Sequence, residues 1–151
     1  MMREQFRVFE PVRVRWADMD SFGHVNNACY FTFCESARIR YFEEIGMGEF
    51  APAFAGDEAV DGEDERPGPA LAQASLDFRA QVHYPARLEA SARATRIGRS
   101  SFALDYAIFE EGRDEPVAEG TSVVVWIDYA VGKSRPLPEE LRRRICDLDG
   151  L

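Results

Sequence analysis

Apolar and polar residues alternate from Phe6 to Ala17. Phe6, Val8, Val12, Val14 and Trp16 fall on one side, with Arg7, Arg13 and Arg15 on the other. A period of two predicts a half-buried strand. Pro11 lies inside it and has no N–H to donate, which suits an edge or a bulge. Residues 18–25 interrupt the pattern with polar groups and Gly23. After that the period changes: Tyr30, Cys34, Ala37, Tyr41 and Ile45 recur at helical spacing, with Thr32, Glu35, Ser36, Arg40 and Glu43 opposite. This predicts one amphipathic helix over 27–45, roughly 28 Å long at 1.5 Å per residue. Asn26 is placed to cap it, because its side-chain oxygen can accept from a free backbone N–H. Val25 and Tyr30 take the hydrophobic-staple positions, and Gly46 is a natural stop.

Four further strands are predicted, over 71–79, 86–97, 100–110 and 117–128. Turns at Gly98 and at Gly112-Arg113-Asp114 link neighbours as hairpins. Between helix and second strand, residues 47–69 mix Gly, Pro, Ala and acids and predict a loop or a partly helical excursion. Residues 138–147 predict a short C-terminal helix with Pro138 at its start. The expected class is α+β, one domain over 1–151, with five mostly antiparallel strands and one long helix. A single helix covers only one face of a sheet. The run Val123–Ile127 is apolar on both sides, so a second subunit is expected over part of the other face.

Composition narrows the function classes. The 151 residues, 46% hydrophobic and 30% charged, fit one soluble globular domain. No apolar run approaches the ~18 residues of a membrane helix, and the first residues lack the apolar stretch of a signal peptide. A cytoplasmic protein without membrane contact is expected. The formal charge is −9, and residues 57–66 alone hold six acids and one base, which reads as a solvated surface loop. No basic stripe exists, so nucleic acid is not an expected partner. Cys29, Cys34 and Cys146 form no C-x-x-C pair and read as reduced small hydrophobes rather than catalytic thiols.

Several chemistries lack their motifs. There is no G-x-S-x-G elbow, no phosphate loop and no dinucleotide fingerprint. His24 and His83 are far apart in sequence and make no zinc site, and His83, in a strand-joining turn, is assigned no role. The informative segment is Arg15-Trp16-Ala17-Asp18-Met19-Asp20-Ser21-Phe22-Gly23-His24-Val25-Asn26-Asn27-Ala28-Cys29-Tyr30. It places the Asp20 carboxylate just before the start of a long helix, where several N–H groups are unpaired and partial positive charge collects. Such an end can polarise a carbonyl and hold a developing oxyanion. A carboxylate beside it can attack that carbonyl or deprotonate a water. Gly23 offers no side chain to obstruct a substrate. The reaction class implied is acyl transfer to water, although Asp is equally at home as a plain loop residue.

The pattern D-x-D-x-x-G-H-V-N-N-x-x-Y, unbroken from Asp18 to Tyr30, resembles the 4-hydroxybenzoyl-CoA thioesterase family of hotdog-fold acyl-CoA thioesterases. Phe33-Cys34-Glu35-Ser36-Ala37-Arg38 is similar to that family's helix pattern. The resemblance implies a hotdog fold, in which the sheet wraps the helix, and a homodimer or tetramer with the site at the dimer interface. It implies Asp20 as catalytic aspartate, Asp18 in support, and the main-chain N–H of Asn27 or its neighbour as oxyanion donor. Gly23, His24, Asn26 and Tyr30 would contact substrate. Arg96, Arg99 and Ser100 would meet the phosphates of coenzyme A, with Lys133 and Arg135 as further candidates. No cofactor or metal is expected beyond the coenzyme A thioester itself. His24 either orients substrate or water or holds loop backbone. Glu35 pairs with Arg38 or, as in some hotdog enzymes, serves as base. Related acyl-carrier-protein thioesterases have asparagine two residues before the histidine, where this chain has Phe22. The alternatives are a non-catalytic acyl-CoA binding module, a carrier-protein thioesterase and a hotdog dehydratase.

Overall fold

The computed structural model describes residues 1–51 and 65–151. In chain order its elements are β1 (Val8–Arg13), α1 (Asn27–Glu44), β2 (Pro67–Phe78), β3 (Arg87–Ile97), β4 (Ser101–Glu110), β5 (Pro116–Asp128), β6 (Lys133–Ser134) and α2 (Glu139–Asp149), with short 3-10 turns at Arg3–Gln5, Trp16–Asp18 and Met47–Glu49. The expected order of strand, long helix and four strands is present. A sixth strand is added: β6 pairs antiparallel with the end of β5, Ile127 opposite Ser134. Two residues are too few to carry a period. Most of the acidic run, residues 57–64, lies outside the described residues.

The sheet order is β1-β3-β4-β5-β2, with β6 on β5. β1 runs antiparallel to β3, Val8 opposite Ala92 and Val12 opposite Leu88, and is an edge strand, as Pro11 requires. It stops earlier than its alternation suggests. Asp18 Oδ2 accepts the Arg15 N–H at 2.7 Å, which turns the chain into the 3-10 turn at Trp16–Asp18.

The chain groups into two compact units. The first comprises Met1–Tyr41, Ser75–Arg93 and Asp105–Thr121; the second comprises Phe42–Ala74, Ala94–Leu104 and Ser122–Leu151. In the first, α1 buries Tyr30, Cys34, Ala37 and Tyr41 from the stripe its spacing predicts, and Phe33 beside them. Arg38 of α1 donates to the Tyr106 hydroxyl at 3.3 Å. Residues alternate across a strand, so Ala107 and Phe109 point away from Tyr106. There they cluster with Phe6, against which Met1 and Phe9 pack. The chain's own N-terminal residues therefore cover part of the face expected to need a second subunit. In the second unit, Phe42 meets Phe102 with ring centroids 6.2 Å apart. Leu141 and Ile145 of α2 are fully buried, and Asp149 accepts the Ala94 N–H at 2.8 Å. In β5, Ser122, Val124, Trp126 and Asp128 are buried while Val123, Val125 and Ile127 are only half-buried. One face of that apolar run is thus partly open in the single chain.

Candidate active site

All of the site described here is built within the first unit. The segment from Arg15 to Asn27 is held by its own polar groups. Asp18 is 1% exposed. Its carboxylate takes the Arg15 N–H and, on Oδ1, both Arg15 Nε at 3.0 Å and Nη2 at 2.6 Å. Burial pushes the Asp18 carboxyl up, and the bonds from Arg15 more than offset it, leaving it below the usual carboxylate range. Asp18 also accepts the Asn26 N–H on its carbonyl at 2.8 Å. The two ends of the motif are therefore tied together, and Met19 bridges Val25 between them.

Between those ends the chain makes a tight turn. Gly23 N–H donates to Asp20 O at 3.1 Å, Asp20 N–H to His24 O at 2.9 Å, and Phe22 N–H to Asp20 Oδ1 at 2.9 Å. The last bond leaves Oδ2 without a protein donor among the described residues. Gly23 has φ +80, where side-chain-bearing residues are strained. A Cβ built on it meets nothing within 4 Å, and it is not among the residues that line the cavity. No protein atom crowds this position, so within the chain it is the backbone conformation that calls for glycine.

The helix start is capped as its sequence predicts. Asn26 Oδ1 accepts the Ala28 N–H at 2.9 Å, and Asn26 O accepts the Cys29 N–H at 2.9 Å. The Asn27 N–H has no acceptor among the described residues.

Asp20, His24, Asn26, Asn27 and Tyr30 line one cavity of about 590 Å³, together with Phe22 and Val25. These five candidate residues of the motif are thus brought to a single place, while Asp18 and Gly23 lie outside the lining. The rest of the lining is Phe78–Gln81, which the sequence did not single out. Tyr30 meets Phe78 edge-on, centroids 5.3 Å apart, and burial pushes its phenol up to about 12. It remains a neutral, largely apolar wall at working pH. His24 lies edge-on to His83, ring centroids 4.9 Å apart. The two histidines that sequence distance separates are neighbours in space, and His83 Nδ1 is 2.8 Å from Gly23 O. Among the described residues no group of three or more His, Cys, Asp and Glu side chains is placed to hold a metal.

Other candidates fall elsewhere. Glu35 is 62% exposed, 3.9 Å from Arg38, and does not line the cavity, so its place is the ion pair. Burial raises the thiols of Cys29 and Cys34, the latter to about 12, which disfavours the thiolate at both. Arg96, Arg99 and Ser100 belong to the second unit. The turn carrying the last two is pinned by Trp126 N–H to Ser100 O at 2.8 Å and Leu137 N–H to Arg99 O at 2.9 Å. Among the described residues neither the Arg96 nor the Arg99 guanidinium has an ion-pair partner. Arg135, by contrast, is engaged by Asp128 at 3.0 Å and Glu65 at 3.1 Å.

Comparison with known proteins gives a consistent context. Over 135 residues the chain is 27% identical to the acyl-acyl carrier protein thioesterase ATL3 of Arabidopsis thaliana, covering 88% of this chain and 64% of that relative's length. It is 27% identical to 1,4-dihydroxy-2-naphthoyl-CoA hydrolase of Synechococcus elongatus over 129 residues, 85% of this chain and 88% of the relative. A thioesterase from Thermus thermophilus, solved with coenzyme A and Zn, superposes with a TM-score of 0.78 at 31% identity, covering 98% of each chain. The fold is the hotdog thioesterase fold. The family shown is broader than the 4-hydroxybenzoyl-CoA thioesterases that the motif resembles: residues 14–145 match the profile of the thioesterase-like superfamily, and the chain belongs to that superfamily.

Proposed function

We propose that this protein hydrolyses acyl-CoA thioesters to a free acid and coenzyme A, as a 4-hydroxybenzoyl-CoA-type member of its superfamily. The observation that carries this reading is one cavity lined by both the Asp20 carboxylate and Asn27, whose N–H is unengaged at the start of α1. A thioester carbonyl set against that N–H is polarised, and the charge growing on its oxygen meets the positive end of the helix. Asp20 then either attacks the carbonyl carbon, giving an anhydride that water opens, or takes a proton from the attacking water. In both routes the C–S bond breaks and coenzyme A leaves as the thiol. In the general-base route water supplies the new acid oxygen directly, whereas in the anhydride route water attacks the aspartyl carbon, leaves its oxygen in Asp20, and the acid departs with an oxygen from Asp20. His24, Asn26 and Tyr30 shape the cavity around the acyl group. Arg96 and Arg99, with Ser100, receive the coenzyme A phosphates, a role their freedom from ion pairs supports.

The proposal includes a cytoplasmic homo-oligomer. Its support is β2, an edge strand on which residues 71–75 are all exposed, Leu71 at 48%. An unpaired apolar edge of that length is a site for a second copy.

The test is a hydrolysis screen over short, long, branched and aromatic acyl-CoAs beside Asp20→Asn. Turnover by the parent protein with a loss of roughly 10²–10⁴-fold in the variant is expected, the range for a positioned acid–base group. Survival of every thioester overturns the activity, and tight acyl-CoA binding without hydrolysis would then mark a binding module. Full activity in Asp20→Asn overturns the site. Oxygen-18 entering Asp20 in a single turnover selects the anhydride route. Similarity to ATL3 favours a second reading, an acyl-carrier-protein thioesterase. Equal acyl groups presented on coenzyme A and on carrier protein separate the two.

A further inference from the structure

Three successive residues of the connection between β2 and β3 each grip the catalytic motif. Val82 O accepts the Val25 N–H at 2.9 Å, His83 Nδ1 lies 2.8 Å from Gly23 O, and the Tyr84 ring stands edge-on to Trp16 at 5.6 Å. The middle contact bears on the turn that carries Asp20. Every hydrogen bond within residues 20–24 is local to the turn. Nothing lies within 4 Å of where a Gly23 Cβ would be, and Phe22 is 82% exposed. Among the described residues, His83 is the one side chain outside the turn that hydrogen-bonds to it.

We infer that His83 is a positioning residue for the reaction: its Nδ1–H clamps the Gly23 carbonyl and so fixes the direction of the Asp20 carboxylate. The inference rests on Asp20 being the reacting group. A carbonyl oxygen only accepts, so Nδ1 carries the proton. His83 is not among the cavity-lining residues, so it acts through the loop and not on substrate. Its ring also packs against His24, and hydrogen bond and ring packing can be separated by substitution. The amide nitrogen of Asn reaches about where Nδ1 stands, that of Gln about where Nε2 stands, and Phe keeps a ring but no donor.

The experiment compares His83→Ala, His83→Asn, His83→Gln and His83→Phe with the parent protein on its best acyl-CoA. Expected is a fall in kcat of about 10- to 100-fold for Ala, Gln and Phe with KM within about twofold, the size of loss that misplacing a reacting group produces. His83→Asn should recover most of kcat. Parent-like kcat in His83→Ala overturns the inference. So does the reverse rescue, Phe active and Asn not, which would assign His83 to ring packing. Two readouts need no turnover. Nitrogen-15 NMR of the parent should show the Nδ1–H form of His83, and amide exchange at Phe22 and Gly23 should quicken in His83→Ala but not in His83→Asn. An Nε2–H form, or unchanged exchange, overturns the clamp even if no thioester is hydrolysed. Absence of hydrolysis by the parent protein counts against the activity alone.

Discussion

Asp18 and Asp20 are two residues apart and are held in opposite ways. Asp18 is enclosed and takes three hydrogen bonds from Arg15, whereas Asp20 takes one side-chain bond, from Phe22 N–H, and faces the cavity. The depressed Asp18 carboxyl has a consequence for stability. Its folded value lies below the unfolded one, so its contribution is present above about pH 4 and lost as pH falls through the folded value. In Asp18→Asn the acid decline of the urea midpoint should be flatter than in the parent protein, and the plateau near pH 7 should sit lower. Gly23 supplies a second test. Alanine there meets no atom, so its cost is the left-handed backbone alone, about 1–2 kcal/mol in urea unfolding.

At the scale of elements, α1 depends on its cap and β5 on one close approach. Asn26→Ala removes the acceptor for Ala28 N–H and should cost about 1 kcal/mol, with Asn26→Asp restoring most of it. Gly120 sits where a Cβ would stand 2.0 Å from Ser75 O and 2.6 Å from a Leu76 methyl. The obstructing atom is backbone and cannot rotate away. Gly120→Ala should therefore separate β5 from β2 and cost more than Gly23→Ala, at or beyond the ~3 kcal/mol end of overpacking. Thermal melts of the two variants side by side check the order. The neighbouring Ser75 and Thr121 hydroxyls, 3.1 Å apart, report the same contact.

For the whole molecule, acid stability is set by several carboxylates held below their usual range. Arg144 lowers Glu49, the N-terminal ammonium and Arg79 lower Glu119, the Arg66 N–H and Arg135 lower Asp128, and Arg143 with Arg144 lowers Glu140. Each favours the folded state above its unfolded value, so the denaturation midpoint should be level from neutral pH to about 4.5 and fall below that. Assembly is tested at the same scale. Leu71→Glu on the exposed β2 edge should convert the proposed oligomer to monomer by light scattering, while circular dichroism stays that of the parent.

Periodicity in the sequence determined the order and type of the long elements, because a period of two or of 3.6 is a local property that burial on one face imposes. It also determined the cap at Asn26 and the concentration of chemistry between Asp18 and Tyr30, since both depend on residues adjacent in the chain. It did not reveal β6, whose two residues are below any period, or the early end of β1, which a side-chain bond from Asp18 decides. Nor did it reveal Phe78–Gln81 as part of the cavity lining or His83 as a neighbour of His24. Those residues are some 50 to 60 positions from the motif, and only folding sets them beside it. What the tertiary structure alone decided is which groups share a cavity, because closeness across the chain is fixed by strand pairing and packing, which no local pattern encodes.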